Sequence, residues 1–263
     1  MFTSPGSIAL SVGPLDIHWY GIVIALGIFF AFQYAIFALK NEKDGRKHME
    51  NLFFWLVVSG ITGARLYYVL FNLSYFLSKP LEILQIWQGG LAIHGALIGG
   101  AIALLIYVRK NRINILRYLD ALLPGVLLAQ GIGRWGNFFN SEAFGTQTNL
   151  PWKLFIPLDN RPPLLESFEY FHPTFLYESI WNIVGFILLA LLARRLNKSN
   201  FHGAISCLYL IWYSFGRFFI EGLRTDSLML GNFRIAQLVS LTLVFIGVFG
   251  LRFVYSRGKI TRR

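Results

Sequence analysis

The chain has 263 residues, of which 55% are hydrophobic and only 14% charged, too few charges to cover the surface of a soluble domain. Its formal net charge of +11 would suggest nucleic-acid binding in a soluble protein. In a membrane protein, an excess of lysine and arginine belongs to cytoplasmic loops facing anionic headgroups, so we expect membrane lipids as partners and no nucleic acid. The single cysteine, Cys207, excludes an intramolecular disulfide.

Seven apolar segments approach the roughly 20 residues that a helix needs to cross a bilayer. No Lys or Arg lies among the first 17 residues, so the first segment is expected to stay in the membrane and not to be cleaved as a signal peptide. The sequence thus predicts an all-α integral membrane protein, with residues 1–263 forming one transmembrane domain. The predicted spans are 20–39, 51–71, 91–108, 118–133, 174–193, 203–223 and 235–251.

Most of the 24 lysines and arginines fall in alternate connections between these spans and in the C-terminal tail. The positive-inside rule then places the amino terminus outside and the carboxyl terminus in the cytoplasm. The predicted cytoplasmic set is Lys40, Lys43, Arg46, Lys47, Arg109, Lys110, Arg112, Arg117, Arg194, Arg195, Lys198, Arg252, Arg257, Lys259, Arg262 and Arg263.

Two outer connections are predicted to have structure of their own. Residues 134–172 form the longest connection and mix Pro, Asn, Phe, Trp and charged residues, which indicates a small extracytoplasmic head between spans four and five. Residues 73–88 are apolar and aromatic, a composition typical of an amphipathic arm lying at the membrane interface.

A charged residue inside a predicted span costs about 2.5–3.5 kcal/mol on insertion scales, and beside Asp120 of the fourth span four such residues require a reason: Arg65, Glu178, Arg217 and Glu221. One interpretation is internal pairing, since Arg217 and Glu221 share a helix face that Tyr213 and Arg224 extend. The other is a functional cavity, because ionisable groups within a membrane usually mark function. The spacing alone leaves both open.

His94 lies near the outer end of the third span, followed by Gly95 and Gly99. The histidine is either a functional group or one that is hydrogen-bonded to a neighbouring helix. The two glycines form a small-xxx-small pair, which predicts close approach of another helix.

The densest polar segment is 133–145, with the sequence GRWGNFFNSEAFG. Its three glycines predict an irregular backbone where the fourth span leaves the membrane. A guanidinium here is suited to hold a phospholipid phosphate by two parallel hydrogen bonds, but the segment also fits a simple interfacial anchor.

This segment closely resembles the signature of the bacterial prolipoprotein diacylglyceryl transferases, Gly-Arg-x-Gly-Asn-Phe-x-Asn-x-Glu-x-x-Gly, at every fixed position. The resemblance extends over nearly the whole chain, through residues 19–21, His94-Gly95, 172–178 and 213–224. Two positions depart from the family pattern: Ala96 stands where a second glycine is frequent, and Phe175 stands where many members have Gln.

The resemblance implies an enzyme that moves the diacylglyceryl group of phosphatidylglycerol to the lipobox cysteine of a preprolipoprotein signal peptide. A thioether forms, glycerol phosphate leaves, and no metal or soluble cofactor is used. It also implies a multi-pass protein of the bacterial cytoplasmic membrane, with its active site toward the outer leaflet.

Residue roles follow from the matched motifs as hypotheses. Arg134 and Arg217 are the candidate phosphate clamp, and His94 is the candidate general base. The other candidates would bind or orient substrate: Tyr20, also a catalytic candidate, with Asn137, Glu142, Gly145, Tyr213 and Glu221. A lipid flippase and a seven-span receptor are the alternatives, and only a transferase would make a thioether-linked product.

Overall fold

The computed structural model of the chain describes residues 1–13, 15–196 and 201–260. Lys198, Arg262 and Arg263 of the predicted cytoplasmic set lie outside the described residues. The helices are α1 (Trp19–Ala38), α2 (Gly45–Phe71), α3 (Leu73–Ser78), α4 (Ile93–Asn111), α5 (Ile115–Phe139), α6 (Thr174–Leu196), α7 (Ala204–Glu221) and α8 (Ile235–Ile260). Three small antiparallel hairpins accompany them: β1 (Ile8–Val12) with β2 (Leu15–His18), β3 (Leu154–Phe155) with β4 (Tyr170–Phe171), and β5 (Met229–Leu230) with β6 (Phe233–Arg234).

The fold class predicted from the sequence, a helical membrane protein, is confirmed. Six described helices, α1, α2, α4, α5, α6 and α8, are long and apolar enough to cross a membrane. The 18-residue helix α7 lies where the sixth span is predicted. It carries Arg217 and Glu221, and it packs against both α6 and α8.

Helix α5 is longer than the predicted fourth span. Helix α5 continues to Phe139, six residues beyond the predicted end, so the first residues of the predicted head at 134–172 are helical. Gly133 and Gly136 were predicted to lie in an irregular backbone, but both are helical. They give room to α1, since a Cβ on Gly136 would lie 2.5 Å from the Tyr20 ring and one on Gly133 would lie 3.2 Å from Ile24.

The chain divides into two compact units, Ile36–Tyr118 and Met1–Ala35 with Leu119–Arg263. In the first unit, α2 and α4 pack through glycines. A Cβ on Gly95 would lie 2.2 Å from the carbonyl oxygen of Gly63, and one on Gly99 would lie 2.3 Å from that of Ser59. The prediction that Gly95 and Gly99 are packing residues is therefore confirmed.

Arg65 anchors the segment that follows α2. This segment comprises α3 and two short 3-10 helices, Pro80–Leu84 and Ile86–Gln88, and it covers residues 73–88, for which the interfacial arm stays a prediction. The buried guanidinium donates to the carbonyl oxygens of Glu82, Ile83, Gly89 and Gly90 at 2.5–3.1 Å. Backbone carbonyls thus accept the hydrogen bonds of this guanidinium.

In the second unit, two tryptophans join α6 to α7. The indole N–H of Trp181 donates to the carbonyl of Trp212 at 3.0 Å, and that of Trp212 donates to the carbonyl of Trp181 at 3.1 Å. The rings stack with centroids 4.4 Å apart. Gly185 and Gly216, each four residues after one tryptophan, leave the space that the opposite indole fills.

The amino end of α7 is capped from α5 by the buried carboxylate of Asp120. It accepts hydrogen bonds from the backbone N–H groups of Gly203 and Ser206 at 2.6 and 2.8 Å and from the Ser206 hydroxyl at 2.6 Å. A carboxylate at this position satisfies otherwise unpaired donors and favours the positive end of the helix dipole. The charge of Asp120 in the fourth span is thereby explained structurally.

The segment between α5 and α6 has an apolar core of its own. Strands β3 and β4 pair within it, and Phe2 continues the pairing beside Leu154. Phe175, at the position where the family often has Gln, is buried in this core against Trp135 and Phe138. The core consists of Phe138, Phe144, Leu154, Ile156, Phe171 and Phe175.

Candidate active site

Glu178 lies at the centre of a cluster of charges contributed by α5, α6 and α7. Its Oε2 pairs with Nη2 of Arg134 at 2.6 Å, and its Oε1 pairs with Nη1 of Arg217 at 2.8 Å. The two arginines predicted to act together are therefore brought together by one carboxylate. Only 4% of the Glu178 side chain is exposed, against 23% for Arg134 and 17% for Arg217.

The other end of Arg217 pairs along its own helix. Its Nη2 lies 2.5 Å from Oε2 of Glu221, four residues later, so the predicted internal pairing is present. Arg224 follows α7, with Nη1 3.7 Å from Glu178 and a bidentate hydrogen bond to Asp226. Burial alone would raise the pKa of Asp226, but the hydrogen bond and charge of Arg224 outweigh it and lower that pKa.

Polar residues of the 133–145 segment extend the cluster. Nη1 of Arg134 donates to Asn137 at 3.2 Å, and the Asn137 amide donates to Glu142 at 2.8 Å. Glu142 stands in a tight turn between Ser141 and Ala143, which both have positive φ, near 52° and 55°. Such a backbone is costly for residues other than glycine, so the turn is held by its surroundings. The result is a continuous chain of interactions from Glu142 to Glu221.

Gly145 fixes the end of this segment to the neighbouring elements. Its N–H donates to the carbonyl of His172 at 2.9 Å, and the next N–H, of Thr146, donates to Leu223 at 2.8 Å. A Cβ on Gly145 would lie 2.8 Å from that of His172. Only glycine fits this contact between the turn, the start of α6 and the end of α7.

The two candidate tyrosines lie in the same unit as the arginines. Tyr20 is 37% exposed, and its ring lies against Gly136. Tyr213 stacks parallel to Tyr209 with centroids 5.9 Å apart. Among the described residues, neither hydroxyl has a hydrogen-bond partner within the protein. The structure therefore does not link either tyrosine to the charged cluster by a hydrogen bond.

His94 belongs to the unit of residues 36–118. Its imidazole is exposed and lies with its centroid 5.9 Å from that of the Tyr67 ring. Over the described ranges its ring nitrogens have no hydrogen-bond partner, so the alternative of a histidine bonded to a neighbouring helix finds no such bond.

His172 precedes α6 and accompanies the cluster. Its Nδ1 lies 3.1 Å from the Tyr177 hydroxyl, which also accepts a hydrogen bond from Trp152 at 2.9 Å. Burial lowers the pKa of His172, which favours the neutral form of the imidazole. A neutral ring adds no charge to the cluster.

Two members of the cluster were not among the candidates chosen from the sequence. Glu178 and Arg224 were noticed only as charges in or beside apolar spans. A stronger signal was available: Arg134, at the end of the fourth span, and Arg217, in the sixth, need a counter-ion, and Glu178 is the acidic residue of the fifth span. The two interpretations offered by the sequence, internal pairing and a functional site, therefore apply to the same residues: Glu178, Arg217 and Glu221.

Comparison with known proteins agrees with this geometry. The family model described as "Prolipoprotein diacylglyceryl transferase" matches residues 7–253. Relatives named phosphatidylglycerol–prolipoprotein diacylglyceryl transferase are 50% identical in Trichormus variabilis, covering 98% of this chain and 92% of that protein, and 49% in Synechococcus elongatus, covering 97% and 89%. A third, in Thermosynechococcus vestitus, is 46% identical and covers 98% and 96%. The match of the family model over most of the chain, with this identity over nearly full length, shows that the chain belongs to the prolipoprotein diacylglyceryl transferase family.

Proposed function

We propose that this chain transfers the diacylglyceryl group of phosphatidylglycerol to the lipobox cysteine of preprolipoproteins. The cysteine sulfur attacks the glycerol carbon that carries the phosphate. A carbon–sulfur bond forms, the carbon–oxygen bond to phosphate breaks, and glycerol phosphate leaves with the electron pair. The thiol proton passes to a base, so the products are a thioether and glycerol phosphate.

The observation that carries the proposal is the convergence of Arg134 and Arg217 on Glu178. Arg134 uses Nη1 and Nη2 toward Asn137 and Glu178, and over the described residues its Nε has no partner. Guanidinium N–H groups bind phosphate in a fixed geometry. Negative charge grows on the phosphate as the carbon–oxygen bond breaks, so donors fixed beforehand stabilise the transition state more than the substrate.

The incoming thiol must lose its proton, because a free cysteine with a pKa near about 8.5 is mostly protonated at neutral pH. We assign this step to His94, the candidate base from the matched motif, whose imidazole is exposed. Cys207 has no part in it. Its sulfur packs against α8, where a Cβ on Gly250 would lie 2.8 Å away.

The remaining candidates hold the clamp and the headgroup. Asn137 and Glu142 orient Arg134 through their hydrogen bonds, and Glu221 orients Arg217. Gly145 keeps the turn that carries Glu142 against α6 and α7. Tyr20, whose hydroxyl has no protein partner in the described ranges, is assigned to the substrate, as is Tyr213.

The proposed setting is the bacterial cytoplasmic membrane, with the amino terminus outside and the carboxyl terminus in the cytoplasm. The clamp then faces the outer leaflet, where the signal peptide of a preprolipoprotein presents its cysteine. The excess of basic residues in alternate connections supports this orientation.

The test is reconstitution of the full chain in vesicles with phosphatidylglycerol labelled in its acyl chains and a synthetic lipobox peptide. We expect label in the peptide through a thioether, together with glycerol phosphate in equal amount. A peptide with serine in place of cysteine is the matched control and should acquire no label.

Movement of labelled lipid between leaflets without a thioether product would identify a flippase instead. Binding of the peptide without either event would identify a receptor. Both outcomes overturn the proposed function.

A further inference from the structure

One carboxylate contacts both arginines of the clamp. Each oxygen of Glu178 serves a different guanidinium, one from α5 and one from α7, while Glu178 itself belongs to α6. A rigid carboxylate that bridges two helices fixes the spacing and the relative orientation of the two guanidiniums.

Glu178 lies deeper than the arginines that it holds. Its side chain is 4% exposed, whereas those of Arg134 and Arg217 are several times more exposed. Buried Ser179 lies beside it in α6, and Trp135 donates to the Ser179 hydroxyl at 3.2 Å. The carboxylate is therefore on the protein side of the cluster, and the accessible edges are those of the guanidiniums.

We infer that Glu178 is a positioning residue for the transfer reaction: it aligns Arg134 and Arg217 for the departing phosphate without touching the substrate. This inference rests on the proposed function. It gives Glu178 a second effect, since its negative charge cancels one of the positive charges beside it, which belong to Arg134, Arg217 and Arg224. Glu178 thus improves the geometry of the clamp and weakens its simple attraction for anions.

The two effects of Glu178 act in opposite directions on anion binding and on kcat. This difference distinguishes a positioning residue from one that only stabilises the fold. Loss of the charge leaves the arginines more attractive to any anion, so ground-state binding of glycerol phosphate should become tighter. Loss of the alignment removes stabilisation that matters in the transition state, so kcat should fall. A residue that only held the fold together would weaken both.

The experiment compares Glu178→Gln with the wild-type chain, both reconstituted with labelled phosphatidylglycerol and lipobox peptide. We expect kcat per folded molecule to fall about 100-fold, as for loss of one fixed donor to a developing charge. The inhibition constant of glycerol phosphate should decrease or stay within threefold. Folded protein is quantified by thermal melting in detergent.

Two further variants make the result specific. Glu178→Asp keeps the negative charge, and its kcat should be at least tenfold higher than that of Glu178→Gln. Ser179→Ala removes a buried hydrogen bond one residue away in the same helix and should keep kcat within threefold of the wild type.

An inactive wild-type chain would refute the proposed function itself. An active wild type with an unchanged kcat in Glu178→Gln would refute only the positioning role. So would a Glu178→Gln variant whose glycerol phosphate inhibition weakens more than threefold in step with the fall in kcat.

Discussion

The contact between α2 and α4 and the contact between α5, α6 and α7 solve the same problem in opposite ways. The first is made by Gly63, Gly95 and Gly99, which let two backbones approach without any charge. The second is made by the carboxylate of Glu178 and the two arginines that pair with it. Lipid gives no hydrophobic drive to helix association, so small residues suffice for packing. Burying several charged side chains in a membrane costs free energy, and such residues usually mark a functional site.

The largest expected effect is on activity at the charged contact. Arg134→Ala or Arg217→Ala should lower the transfer rate by about 10²–10³-fold or more, because each removes fixed donors to the developing phosphate charge. Membrane insertion should be unchanged. Thioether formation is measured in vesicles, alongside the amount of chain resistant to alkaline extraction.

Arg161→Ala is a suitable control, since that arginine bonds the carbonyls of Ile156 and Glu166 within the segment between α5 and α6 and not the cluster. Full activity in Arg134→Ala or Arg217→Ala would contradict the proposal that these arginines hold the departing phosphate.

The glycine contact should respond through stability. Gly95→Ala places a Cβ against the Gly63 carbonyl and should cost about 1–3 kcal/mol through overpacking. Thermal melting of the purified chain measures this loss. Gly100→Ala is the matched control on the same helix, because its nearest neighbour, Leu56, would be 3.9 Å away. Equal melting of the two variants would contradict the close packing of α2 on α4.

A smaller effect is expected where a charge serves structure alone. Asp120→Asn keeps one acceptor for the amino end of α7 but loses the carboxylate charge and one acceptor oxygen. The variant should be less stable by about 1–2 kcal/mol. The measurement is again the melting temperature, with kcat per folded molecule unchanged. A specific loss of kcat at full stability would mean that Asp120 takes part in the reaction.

The smallest effect is expected at the face of α7 that packs on α8 through small residues. Cys207→Ser should leave thioether formation within about twofold of the wild type, because the attacking sulfur belongs to the peptide substrate. The same assay measures it. An inactive Cys207→Ser variant that still melts normally would reassign the nucleophile to the enzyme.

Hydropathy was enough to locate the spans because a helix in lipid must be apolar over a known length. The glycine content was misleading at the end of α5, where Gly133 and Gly136 predicted an irregular backbone but are helical. Glycine permits unusual dihedral angles and also permits close helix contact, and the sequence does not distinguish the two uses. The structure shows close contact with Tyr20 and Ile24.

The site was predictable in part. Arg134, Asn137, Glu142, Arg217 and Glu221 were chosen from their motifs, and the structure joins them in one chain of interactions. The role of Glu178 as their hub was missed because it depends on which faces of three helices meet, and pairing within one helix is all that residue spacing reveals. His94 stays a prediction.

The reciprocal tryptophan contact has a consequence for the alignment of these helices. Glu178 comes three residues before Trp181, and Arg217 comes five residues after Trp212, so the ion pair lies about one helical turn from the crossing of the indoles. Sliding α7 along α6 by a turn would break both indole hydrogen bonds and drive each ring out of the notch at the opposite glycine. The stacked rings thus fix the register of α6 against α7. Through that register they determine that Glu178 pairs with Arg217.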